Sequence, residues 1–198
     1  QGGGPGGPAK PVPPRPLVNC CCGCVVGAST LSRMRVVGFC GPSGVGKTTL
    51  VERLVAELKS RGQRVSVIKH AHKTFDIDHV GKDTWRHRQA GAFEVLIASG
   101  HRLAKMREYE VPGQPTVHQL IAEMVPCDWL LVEGFKDADI LKIEVWRAAL
   151  EHAPIYPEEP FVVAVATDAP AALPEPSTRP VFDMADVRVL ASFLLDTP

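Results

Sequence analysis

Two groups of residues in this chain have the types and spacing to do chemistry. Gly41-Pro42-Ser43-Gly44-Val45-Gly46-Lys47-Thr48 fits G-x-x-x-x-G-K-[ST], with an apolar strand pattern before it and a helical pattern after it. Glycines there let successive backbone N–H groups turn toward phosphate oxygens, and the start of a helix adds partial positive charge. Lys47 is the fixed cation for the terminal phosphates and a catalytic residue, the Thr48 hydroxyl suits Mg²⁺, and Thr49 supports the first helical turn. Motif and context together favour that reading over the alternative of a glycine turn without a ligand. A phosphate loop of this kind needs a second carboxylate, and "CDWLLVEGFK" offers Glu133 at the end of a buried-strand run. Glu133 either holds a water on Mg²⁺ or orients the attacking water; the competing reading is an acidic strand end.

The second group is "KHAHKTFDIDHVGKDTWRHRQAGA". His70 and His72 invite a metal reading, but alternate residues in a loop with no third ligand at fixed spacing support it weakly. A loop close to the phosphates suits the composition better: Asp76 and Asp78 stand as candidate carboxylates for Mg²⁺ or its water, and Lys82, Arg86 and Arg88 as partners for an anionic substrate. A solvated loop with Asp83 at a helix start is the plainer alternative.

These residues need elements to position them. "RVVGFC" reads as a short strand, and "TTLVERLVAELKSRG" carries Leu50, Leu54, Val55 and Leu58 at helical spacing with Gly62 as the stop. "RVSVIK", "FEVLIA", "DWLLVEGF", "KIEVWR" and "FVVAVATD" read as strands, and "TVHQLIAEMV" and "MADVRVLASFLL" as helices. This alternation predicts an α/β, three-layer P-loop NTPase fold: a mainly parallel central sheet with helices on both faces and ligands at the carboxyl ends of the strands. No internal repeat is detectable.

The chain has 198 residues, enough for one α/β domain. Lys+Arg 22 balances Asp+Glu 22, so no bulk field draws the protein to nucleic acid or a membrane. No apolar run approaches the roughly 20 residues needed to span a bilayer. Residues 1–33 are Gly/Pro-dense and predict a disordered tail, with the domain over 34–198 and Met34 as the expected functional start. Cys20, Cys21, Cys22 and Cys24 lack the partner His or Cys pair of a zinc site, and no apolar segment of a secretion signal precedes them. The remaining thiols, Cys40 and Cys127, suit a reducing compartment, which predicts a cytoplasmic protein; Cys40, inside the first strand, reads as packing rather than a nucleophile.

"GPSGVGKTTL", "IKHAHKTFDIDHVGKDTWRHRQAGA", "LLVEGFK", "KIEVWR" and "AVATD", in that order and at these distances, resemble the molybdopterin-guanine dinucleotide biosynthesis adapter (MobB) family from about Met34 to the C-terminus. The phosphate loop alone is generic; the long His/Asp/Arg segment with "VEGFK" is specific. Val80 departs from the family pattern, which carries a Pro before the "GKD" triplet. The resemblance implies a dimeric GTP- and Mg²⁺-binding protein, at most a weak GTPase. Its implied role is beside the MobA-type guanylyltransferase that joins GMP to molybdopterin, with molybdopterin a further candidate ligand. It carries over Gly41 to Thr49 as the phosphate loop and Glu133 as the strand-end acid.

Guanine selection rests on a separate residue. Guanine presents N1–H and its N2 amino group side by side, two donors that one carboxylate accepts together, whereas adenine has an acceptor at N1. Asp168, at the end of "FVVAVATD", is the candidate base reader; a turn-forming or helix-capping Asp before "APAALPEP" is the alternative. Two other functions share these motifs. One is a small-molecule kinase, for which Arg86, Arg88 and Arg102 are the available arginines, and the other is a nucleotide-switched partner protein without catalysis.

Overall fold

A computed structural model of the chain describes residues 34–71, 75–111 and 113–197. The expected tail, the Cys20–Cys24 cluster and His72 lie outside the described residues. In chain order the elements are β1 (Arg35–Cys40), α1 (Lys47–Ser60), β2 (Val65–Lys69), α2 (Asp83–Gln89), β3 (Glu94–Ala98) and β4 (Leu103–Arg107). Then follow α3 (Val117–Ala122), β5 (Trp129–Glu133), β6 (Lys142–Trp146), β7 (Val162–Thr167), β8 (Val181–Asp183) and α4 (Val187–Asp196).

Six strands form one sheet in the order β2-β5-β1-β6-β7-β8, and every neighbouring pair in it is parallel. Parallel pairing needs crossovers and buries both faces, which is why β5 and β6 read as continuous runs rather than alternations. Val37, Phe39, Trp129, Leu131, Ile143 and Val145 pack against α1 and α4 on one face. Ile68, Leu130 and Val132 pack with Val117, Leu120 and Ile121 of α3 on the other.

Local sequence explains α1. Leu50, Leu54 and Leu58 recur every four residues and are fully buried with Val51. The helix ends where Gly62 N–H reaches Lys59 O at 3.0 Å and Gln63 N–H reaches Leu58 O at 3.0 Å, satisfying its last carbonyls.

Four details differ from, or add to, the reading of the sequence. "FEVLIA" does form β3, but it pairs antiparallel with β4, unanticipated from sequence, in a separate two-stranded hairpin and not in the central sheet. β8, only three residues long, was also unanticipated. In "MADVRVLASFLL" the helix begins only at Val187, because Asp186 caps it by accepting the Arg188 N–H, and Met184 stays buried under β8. Asp83 is the first helical residue of α2; the N-cap is Lys82, which has no side-chain acceptor to offer.

The phosphate loop, the strand-end acid and their surroundings

Between β1 and α1 the chain turns at Gly41, whose φ is 131° and where a Cβ would stand 2.3 Å from Val145 O. Only glycine fits that approach of the loop to β6. The loop delivers Gly46 as the N-cap of α1, with no side-chain acceptor and no acidic residue in the first turn. Leu50 is the first residue of the helix whose N–H finds an intrahelical acceptor, Gly46 O at 3.0 Å, so the amides of Lys47, Thr48 and Thr49 lack one. An uncapped helix start bearing only positive partial charge is an anion seat. Val45 is buried beneath it. Lys47 folds back across the loop and donates to Gly41 O at 2.8 Å and Pro42 O at 2.6 Å. Partial burial pushes the Lys47 ammonium below its ordinary value, with the Glu133 charge opposing the shift.

Glu133 ends β5 in register with Phe39 on one side and Lys69, the last residue of β2, on the other. Its carboxylate is largely buried, and Oε1 accepts from the Thr48 hydroxyl at 2.6 Å and from Lys69 Nζ at 3.0 Å. Lys69 Nζ also lies 3.0 Å from Thr48 Oγ1. A cation therefore already sits against the two oxygens expected to serve a metal, and the residues present fit one.

The charged loop is organised otherwise. Asp76 and Asp78 do not line the cleft that holds the phosphate loop. Asp76 pairs with Arg88 Nη2 at 3.0 Å, and Asp78 accepts from Thr84 at 2.8 Å and lies 3.5 Å from Arg88 Nε. The Asp78 N–H first, then Arg88, hold the Asp76 carboxyl below its usual range. Arg88 is thereby tied down, with Glu108 as a third partner at 3.2 Å, while Lys82 and Arg86 are exposed. His70 stacks on Phe135 with ring centroids 4.6 Å apart and meets the Gln114 side chain. Gly134 makes that packing possible: its φ is 101° and a Cβ there would stand 2.7 Å from His70 Cβ. Among the described residues no three His, Cys, Asp or Glu side chains gather as a metal cluster.

On the opposite side of the loop, Asp168 follows β7 and is held by Arg147, which follows β6. Arg147 donates Nη1 to Asp168 Oδ2 at 3.1 Å and Nε to Val45 O at 2.8 Å, joining the candidate base reader to the phosphate loop. The loop, Glu133, Lys69 and His70 border one cleft of about 1150 Å³ that continues to Gln114 and Phe135, and Asp168 lies outside its walls. Lys69 opens the charged segment and Arg147 ends "KIEVWR", but the sequence assigned neither a role at the site. The signal for Lys69 was its place at the end of a strand that proves to pair with β5.

A parallel sheet with a glycine-rich phosphate loop feeding an uncapped helix defines a P-loop nucleotide-binding protein. The family model "Molybdopterin guanine dinucleotide synthesis protein B" (MobB) matches residues 36–168. A molybdopterin-guanine dinucleotide biosynthesis adapter protein of Escherichia coli (strain K12) is 37% identical over 167 residues, covering 81% of this chain and 91% of its own length. The protein of the same name from Haemophilus influenzae is 36% identical, covering 82% and 89%. The crystal structure of a MobB protein homolog from Bacillus stearothermophilus superposes with a TM-score of 0.62 at 25% identity, over 82% of this chain and 97% of that one. The chain belongs to the MobB family.

Proposed function

We propose that this chain is a GTP-binding adapter in molybdenum cofactor biosynthesis, assisting the MobA-type transferase that attaches GMP to molybdopterin. One observation carries the nucleotide reading: an uncapped α1 start, ringed by Gly41, Ser43, Gly44 and Gly46, faces the cleft beside a Thr48–Glu133 pair that already holds a cation. The adapter reading rests on the family and on the names of the relatives. Gly41 to Thr49 cradle the phosphates and Lys47 moves from the loop carbonyls to the β- and γ-oxygens. Thr48 and Glu133 are the residues that would hold Mg²⁺, which when bound neutralises phosphate charge. Asp76 and Asp78 serve the loop through Arg88 and leave the metal to that pair. Asp168 reads guanine once Arg147 shares or releases its carboxylate.

The same reading assigns a homodimer. The β3–β4 hairpin exposes Leu96, Ile97 and Leu103, and a two-stranded ribbon with open edges is marginal alone. A cytoplasmic setting is supported by the free, buried thiols Cys40 and Cys127, and among the described residues no helix is long and apolar enough to cross a membrane. Hydrolysis is at most weak in this scheme, because Arg88 is engaged by Asp76, Asp78 and Glu108 and does not reach toward a transferred group. Incubating the chain with GTP·Mg²⁺ alone, then with the transferase and molybdopterin, tests the proposal. Increased formation of the dinucleotide with slow GTP loss supports an adapter; rapid stoichiometric phosphorylation of a small molecule contradicts it.

A further inference from the structure

Resting on the nucleotide reading above, we infer that Lys69 is the resident cation of the Thr48–Glu133 position and sets how far nucleotide binding depends on a divalent metal. The side chain bridges both oxygens at 3.0 Å. The pairing is built into the sheet, since Lys69 and Glu133 are register partners at the carboxyl ends of adjacent parallel strands. The two partners differ in exposure: the Glu133 side chain is 10% exposed, the Lys69 side chain 57%. A carboxylate so far removed from water needs a counter-charge, and Lys69 supplies it from a position it can leave at little cost.

A metal ion and the Lys69 ammonium compete for the same two oxygens. Mg²⁺ held by Thr48 and Glu133 would supply the positive charge that the ammonium now supplies to those oxygens, so the two cations would exclude one another there. Once displaced, the ammonium remains on its flexible four-carbon stem beside the phosphate loop. When no metal is present it stays on Thr48 and Glu133 and offers its charge to the terminal phosphate in the metal's place. Lys47 has a different task. Its contacts are the Gly41 and Pro42 carbonyls, on the loop itself, so its charge serves the phosphate chain with or without metal.

The two lysines are therefore separable by one comparison. Calorimetric titration of the full chain with GTP, once in Mg²⁺ and once in EDTA, gives the ratio of the two dissociation constants. In Lys69→Met that ratio widens by about ten-fold, because only the metal-free arm loses a charged hydrogen bond, while the Mg²⁺ arm stays within about two-fold. Lys69→Arg keeps a cation and holds the ratio near the wild-type value, which guards against a folding artefact in the Met variant. An unchanged ratio in Lys69→Met, or equal losses in both arms, overturns the inference and leaves the nucleotide reading intact. A wild-type chain that binds GTP in neither buffer overturns both.

Discussion

The Thr48 hydroxyl donates to the Glu133 carboxylate across 2.6 Å, joining the first turn of α1 to the end of β5. That contact fixes both oxygens of the proposed metal position before any ligand arrives. Glu133→Gln keeps an acceptor for Thr48 and removes the charge, so the gain in GTP affinity on adding Mg²⁺ should shrink by about ten-fold or more, while affinity in EDTA changes far less. Titration calorimetry at several Mg²⁺ concentrations measures this; an undiminished Mg²⁺ effect would move the metal to other ligands. The sign is opposite to that expected for Lys69→Met.

Guanine selection is tested at Asp168. Asp168→Asn replaces an acceptor-only group with one that also donates, so GTP binding should weaken by roughly ten-fold and discrimination against xanthine nucleotides should relax. Competition titrations with GTP, ATP and XTP read this directly, and an unchanged GTP/ATP preference counts against the assignment. Arg147→Ala should behave differently. It releases Val45 O as well as Asp168 and should lower stability by about 1 kcal/mol, since the pair is part-exposed, with a matching fall in melting temperature.

Much of the candidate site was legible in sequence because it is local. The phosphate loop occupies eight consecutive positions whose glycines and helix start are decided by near neighbours, and Glu133 is marked by the apolar run before it. Lys69 was not legible, because its partner is 64 residues away and only the order β2-β5-β1 brings them together. Asp76 and Asp78 were placed by residue type; their orientation is set by Arg88, on a helix no local rule connected to them. The hairpin was half read for a similar reason. β3 is rich in β-branched and apolar residues, whereas β4, "LAKMR", owes its strand to pairing with β3 and to ion pairs that override a weak propensity.

Those ion pairs give a pH signature. Arg107 first, then Lys105, hold the Glu123 carboxyl down to about 2. Because the folded value is depressed, the tie between β4 and the end of α3 is present above the ordinary value of 4.5 and is lost as pH falls toward about 2. An NMR titration of the Glu123 carboxyl carbon should show that low midpoint in the wild type and a rise toward 4.5 in Arg107→Ala. A wild-type midpoint at the ordinary value would mean that the hairpin does not rest on α3 in solution.

The proposed dimer is assigned to the same hairpin. Leu96 and Leu103 project on the same face by register and are both exposed. The double change Leu96→Glu with Leu103→Glu places charge on that face, so sedimentation velocity should show a wild-type dimer and a monomeric variant with the same circular dichroism spectrum. A wild-type monomer, or a variant dimer of equal strength, contradicts this use of the hairpin.

The central claim is that the loop after β1 holds a nucleotide by its terminal phosphates, and Lys47→Ala tests it most directly. Removing this cation should cost on the order of 1.5–3 kcal/mol of GTP binding, or roughly 10- to 150-fold in affinity. GMP, which has no β- or γ-phosphate, should lose far less. Calorimetric titration of both nucleotides into wild type and variant gives the answer: a large loss for GTP with a small one for GMP is the predicted result, and no loss for either would contradict the P-loop reading itself.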